Sequence, residues 1–266
     1  MIKDRATLRA ALLVRPTPAL DQLPPLPAEP SPIFSRALEQ HRILEKTLRY
    51  FHVETTVMDA GTDGALSVAA ADTAVVLEKG AVMMRNSVLH RPDEAAHMRD
   101  HFNRMGVPIL ASIEPPASID GSEVLLIANT AFIGVSRRSN ALGRSVFADV
   151  ARGAGLDVVE VDMSPGAPAL RSIASPVSAD TIVAAPQGFD LKALGGFQTI
   201  VLERGEELAA GVFPLGERRV IANLRFRTSL AKMRHAGVAI EAIDLHEFGK
   251  VGLTPSMLVL PLRRTK

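Results

Sequence analysis

The chain has 266 residues, of which 47% are hydrophobic and 22% charged, with a formal net charge of +1 and no cysteine. That length and apolar content suffice for a sizeable core, as one domain or two close halves, while the dispersed charge offers no broad field for nucleic acid or an anionic membrane. Without cysteine there are no disulfides, no Cys-ligated zinc, no iron–sulfur cluster and no thiolate nucleophile.

The N-terminal MIKDRATLR is charged, and the AALLV that follows is too short for a signal-peptide core. No run approaches a membrane span, so a cytoplasmic protein is expected. ALLVRP reads as a strand. Segment 15–33, RPTPALDQLPPLPAEPSPI, is too rich in proline for a regular helix or a central strand. It reads as a connector or as a flap over a site.

Three later stretches share one layout. The first is TAVVLEKGAVMMR, then PDEAAHMRDHFNRMG, then VPILASI. The second is SEVLLIANTAFIGVSRR, SNALGRSVFADVARGAG and LDVVEVDM; the third is FQTIVLERG, ERRVIANLRFR, TSLAKMRHAG and VAIEAIDL. Each places two β-rich runs around a turn, then a helical pattern ending at glycine, then another β-rich run. Val75 and Val124, like Val107 and Val158, stand about 50 residues apart, a period typical of propellers and other arrays whose units bury their faces against one another. The predicted fold is α/β, a ring of strand-strand-helix-strand units around a central pocket, forming one domain over 1–266. ADTIVAAPQG looks like a strand of a weaker copy. The C-terminal KVGLTPSMLVLPLRR reads as a closing strand with Pro255 at its first position, where a missing N–H matters least.

Asp93, His97 and His101 fall on one side of the second-run helix at a spacing able to hold a metal. They read instead as a half-exposed face beside the core stripe Met98, Phe102 and Met105, and no metal is expected. Asp-Gly-Ser-Glu at 120–123 reads as a turn entering a strand. Arg91 and the Arg137-Arg138 pair sit at the ends of segments in successive repeats, where equivalent positions in a ring converge and two guanidinium groups can clamp a carboxylate. No nucleophile elbow, P-loop or dinucleotide fingerprint occurs, and no cofactor is expected.

Together, ADTAVVLEKGAVMMRNSVLHRPDE, IDGSEVLLIANTAFIGVSRRSNALG, LRSIASPVSADTIVAAP and ANLRFRTSLAKMRHAGVAIEAIDLHEFGKVGLTPSMLVL resemble, in order, blocks of the dimethylarginine dimethylaminohydrolase family. That family is a branch of the guanidino-group-modifying pentein superfamily of five-bladed α/β propellers. The resemblance implies that Asp72 and Asp120 hold a guanidinium and that Arg91 and Arg138 hold a carboxylate. It also places two family acidic positions on Ala71 and Leu66, the second resembling a partner for an α-ammonium group. The family's catalytic histidine falls on Ala169 of PALRS, and its nucleophilic cysteine, after Gly-Leu-Thr, falls on Pro255.

The resemblance therefore implies a protein inactive by the family's Cys/His mechanism that binds a small guanidino or carboxylate ligand. One alternative is a C–N hydrolase working without cysteine, through Ser256 or Thr254 with His246, or through water assisted by Asp72 or Asp120. The other is a protein-interaction module. A homo-oligomer is compatible with each.

Overall fold

The computed structural model describes residues 7–61, 63–86 and 91–265. Among the described residues there are five sheets of three strands each. In the first, β1 (Leu8–Val14) runs parallel to β2 (Glu54–Met58) across helix α1 (Phe34–Tyr50), and the C-terminal β15 (Val259–Arg264) lies antiparallel on its other side. The second joins β3 (Ala74–Leu77) and β4 (Gly80–Met83) as a hairpin and returns through α2 (Pro92–Met105) to β5 (Ile109–Ser112). The third repeats this with β6 (Val124–Ile127), β7 (Thr130–Val135), α3 (Ala141–Gly153) and β8 (Asp157–Asp162).

A short turn of helix, α4 (Leu170–Ile173), leads into the fourth sheet of β9 (Ala174–Pro176), β10 (Thr181–Ala184) and β11 (Gln198–Val201), where a 3-10 turn at Leu191–Leu194 replaces the crossover helix. The fifth contains β12 (Phe213–Gly216), β13 (Arg219–Asn223), α5 (Arg227–His235) and β14 (Ala239–Ile243). Two single-turn helices, α6 (His246–Gly249) and α7 (Pro255–Leu258), precede β15.

In every sheet the middle strand pairs antiparallel with one neighbour and parallel with the other. The sheets also touch in succession: β15 meets β3, β6 meets β9, β9 meets β12 and β12 meets β1, while an Arg85–Ile119 bridge links the second to the third. The ring predicted from the repeat is thus present, with a unit built from the two ends of the chain.

Two strand assignments differ from the sequence reading. FQTIVLERG was expected to form a hairpin with ERRVIANL, but Gln198–Val201 ends the fourth unit and pairs in parallel with β10. The hairpin partner of β13 is VFPLG, joined through Glu217 and Arg218, both with positive φ as a tight hairpin turn requires. At the C-terminus Pro255 opens a helical turn and not a strand. Its fixed φ and missing N–H suit the first helical position, and the strand begins only at Val259.

Helix ends follow local rules. Pro92 starts α2 and Gly106, at φ 71°, stops it, while the Asn140 side chain accepts the Gly143 N–H to cap α3. The inward faces are Leu44 and Leu48 on α1, Met98 and Phe102 on α2, Phe147 and Ala151 on α3, and Leu230 and Met233 on α5, all buried. Each large side chain among them contributes roughly 1.5–3 kcal/mol by leaving water. Met105, predicted to continue the stripe, is exposed because it is the last helical residue. None of the helices described is long and apolar enough to cross a membrane.

The buried face of α1 also carries His41, whose Nε2 has no partner among the described residues. Burial pushes its pKa down to about 4 from the ordinary 6.5, against the pull of Glu45. Between those values the unfolded chain binds a proton that the native state refuses, so stability falls as pH drops through this window. His41→Gln is expected to remove about 3 kcal/mol of the acid-induced loss, read as the difference between wild-type and variant urea-unfolding curves at pH 7 and near pH 4.

Candidate functional site

Asp72 closes one short 3-10 turn, Ala70–Asp72, and Asp120 precedes another, Gly121–Glu123. These turns lead into β3 and β6, at equivalent places in adjacent units. They pack so closely that a Cβ on Gly121 would collide with the carbonyl oxygen of Ala71, which explains the glycine of DGSE. Arg91 stands at the N-terminal end of α2, and Arg138 follows β7 in a loop whose carbonyl at Arg138 accepts the Asp120 N–H at 3.0 Å.

All four of these residues line one cavity of about 1060 Å³. The connections of all five units contribute to its wall, from Leu26 and Leu66 through Ala169 and Gln187 to Leu208, Phe226 and Met257. Leu26, Pro27 and Glu29 bring the proline-rich segment to its edge, where Glu29 forms an ion pair with Arg225 and the Leu26 N–H bonds to the Lys250 carbonyl at 2.7 Å.

Arg91 is buried, and each of its guanidinium nitrogens is engaged. Nη1 donates to Asp72 Oδ2 at 2.9 Å, Nε to Glu94 Oε2 at 2.9 Å, and Nη2 to the Leu66 carbonyl at 3.0 Å, with Nη2 also lying 2.7 Å from Glu94 Oε2 as an ion pair. Burial opposes its charge, but the two carboxylates outweigh that and raise its pKa. Arg138 is less committed: Nη1 donates to the Ala167 carbonyl at 3.2 Å and lies 3.7 Å from Glu123 Oε1. Burial raises the pKa of Glu123, although the Ser136 hydroxyl at 2.9 Å, the Arg138 charge and the Leu170 N–H at 3.3 Å favour its anion.

Glu94 and Glu123 are the groups that residue-by-residue reading missed. Both lay in quoted motifs, PDE and DGSE, three residues beyond a singled-out Arg91 or Asp120, a spacing that returns a side chain to the same turn. Arg171 was missed as well. Burial pushes its pKa down to about 10 against the attraction of Asp72.

Ala169 lines the cavity immediately before α4, and Pro255 is buried at the start of α7. The neighbouring hydroxyls are occupied: Ser256 Oγ donates to the Arg171 carbonyl at 2.6 Å and lies 2.9 Å from Thr254 Oγ1. No Ser256–His246 hydrogen bond occurs among the described residues. His97 meets the Asp59 carbonyl at 3.1 Å, and no cluster of three metal-ligating side chains appears among the described residues.

No protein-family profile matches the chain. Among curated proteins, the dimethylarginine dimethylaminohydrolase of Pseudomonas aeruginosa is 21% identical over 220 residues, covering 83% of this chain and 86% of that protein. Among solved structures, a dimethylarginine dimethylaminohydrolase adduct with S-methyl-L-thiocitrulline has a TM-score of 0.87 at 20% identity, covering 97% of this chain and 99% of that one. The N-terminal domain of the cyanobacterial arginine dihydrolase ArgZ gives 0.81 at 18% identity, covering 96% and 97% of the two chains. The amidinotransferase SxtG of Microseira wollei gives 0.82 at 14%, covering 98% and 96%.

The five-sheet ring with its axial cavity is the pentein fold of these structures. In sequence the chain is similar, at low identity, to dimethylarginine dimethylaminohydrolase.

Arg91→Ala would strand Asp72 and Glu94 as buried, uncompensated anions and is expected to cost about 3–5 kcal/mol in urea unfolding. Gly121→Ala, which forces the two turns apart, is expected to cost about 1–3 kcal/mol in the same measurement.

Proposed function

We propose that this chain is a non-catalytic relative of dimethylarginine dimethylaminohydrolase that binds a small guanidino or carboxylate compound in the axial cavity. The observation that carries the reading is the meeting of Asp72, Arg91, Asp120 and Arg138 at one cavity in a chain without cysteine. A cationic planar group and a carboxylate at opposite ends of one molecule suit such a lining, because charge-assisted hydrogen bonds fix orientation as well as position. A citrulline complex of the Pseudomonas aeruginosa enzyme supports a ligand of that kind.

Family chemistry needs a thiolate to attack the guanidinium carbon and a histidine to protonate the departing amine and then activate water. The resemblance puts those positions on Pro255 and Ala169, and neither side chain carries a titratable proton or a nucleophile. Loss of two groups that act as a unit lowers turnover by on the order of a millionfold. The Ser256 hydroxyl donates to a backbone carbonyl and has no hydrogen-bonded base among the described residues to replace them.

Binding without turnover predicts saturable stabilisation, about 2.7 kcal/mol at a ligand concentration one hundred times Kd. A thermal-shift screen of guanidino acids, amino acids and carboxylates should find such a ligand, and Arg138→Ala should abolish its effect. Release of citrulline or an alkylamine from a methylarginine by the pure protein, insensitive to iodoacetamide and lost in Ser256→Ala or Asp120→Asn, would overturn the reading in favour of a hydrolase.

A further inference from the structure

We infer that Arg171 holds a small monovalent inorganic anion, of the size and charge of chloride, at a place outside the ligand cavity. This site is independent of the binding role proposed above.

Arg171 belongs to the single turn α4 but not to the cavity wall. Ala169 and Ser172, three residues apart and so on one side of the turn, both line the cavity, whereas Arg171 between them does not. Its main chain is pinned by α7: the Arg171 carbonyl accepts the Ser256 hydroxyl at 2.6 Å, and Ser172 Oγ donates to Met257 Sδ at 3.1 Å. The turn has little freedom to carry the guanidinium elsewhere.

That guanidinium makes no hydrogen bond or ion pair among the described residues, and the residue is half-buried. Burial resists its charge, yet with a pKa lowered only to about 10 it is a cation at neutral pH. Carboxylates stand nearby, and each is committed to other donors. Asp72, whose attraction reaches Arg171, gives Oδ2 to Arg91. The turns of Glu123 and Glu207 touch α4, but Glu123 accepts from the Ser136 hydroxyl and the Leu170 N–H beside Arg138, and Glu207 accepts the Gly205 N–H at 2.8 Å. Ala71, buried next to Asp72, adds no charge.

A partly desolvated cation that no protein anion neutralises is costly, and one solvent anion at its N–H groups offsets that cost. The half-buried position leaves such an ion access. One positive charge near the negative Asp72 selects a monovalent anion, and the dense surroundings select a small one.

The test is thermal unfolding of the full chain in sodium chloride against sodium gluconate at equal ionic strength, together with the anomalous signal of bromide in a soaked crystal. The wild-type Tm is expected to rise saturably with chloride, by about 2–4 °C, and bromide is expected at the Arg171 guanidinium. Arg171→Met, which removes the uncompensated charge, should lose the chloride response and be at least as stable as the wild type in gluconate. An equal chloride response in wild type and Arg171→Met overturns the inference. So does a response that Arg138→Ala abolishes, which places the anion in the cavity. Should Arg171→Met not fold, the wild-type crystal decides, and absence of bromide at Arg171 overturns the site.

Discussion

A three-stranded sheet cannot shield both of its faces, and this limit shapes the whole molecule. β4 and β10 are buried along their full length, so each needs cover on both sides. Cover comes from helices or turns outside and from neighbouring units within, and ring closure through β15 and β1 leaves no unit without a neighbour. The central cavity follows from this closure. Five small units meeting edge to edge bring their connections together, and those connections carry the polar side chains that a packed apolar core would exclude.

Charge at the convergence point is arranged in pairs of unequal commitment. Arg91 is shared by Asp72 and Glu94 at hydrogen-bonding distance, whereas Arg138 meets Glu123 only at 3.7 Å. A buried cation between two carboxylates is costly to release, because the anions left behind have no water to replace it. A half-satisfied guanidinium at a cavity wall can accept a new anion without that penalty. The same residue type therefore has two physical roles at one cavity, and the difference lies in the neighbours.

Much of the fold was legible because it is periodic. TAVVLEKGAVMM and EVLLIANTAFIGV each carry a hairpin, and Gly106 and the Asn140 cap mark helix boundaries by local chemistry. FQTIVLERG was misread because a β-rich run does not reveal which neighbour it will join. The true partner of β13, FPLG, contains a proline, a residue that does not signal a strand. Pro255 misled for a related reason: a first-position proline fits a strand or a helical turn, and only Val259 pairing with Leu13 shows where the strand begins.

The sequence alone determined the repeat, the absence of any thiol and the presence of both acidic and basic residues in the turns that follow one another around the ring. These depend on order and composition, which no packing can alter. The tertiary structure decided the pairing of charges. Asp72 and Arg91 are separated by 19 residues, and Arg138 and Ala167 by 29, distances over which local propensity carries no information. Folding of one unit brings the first pair within bonding range and packing of neighbouring units the second, and burial there strengthens the Arg91 pairing.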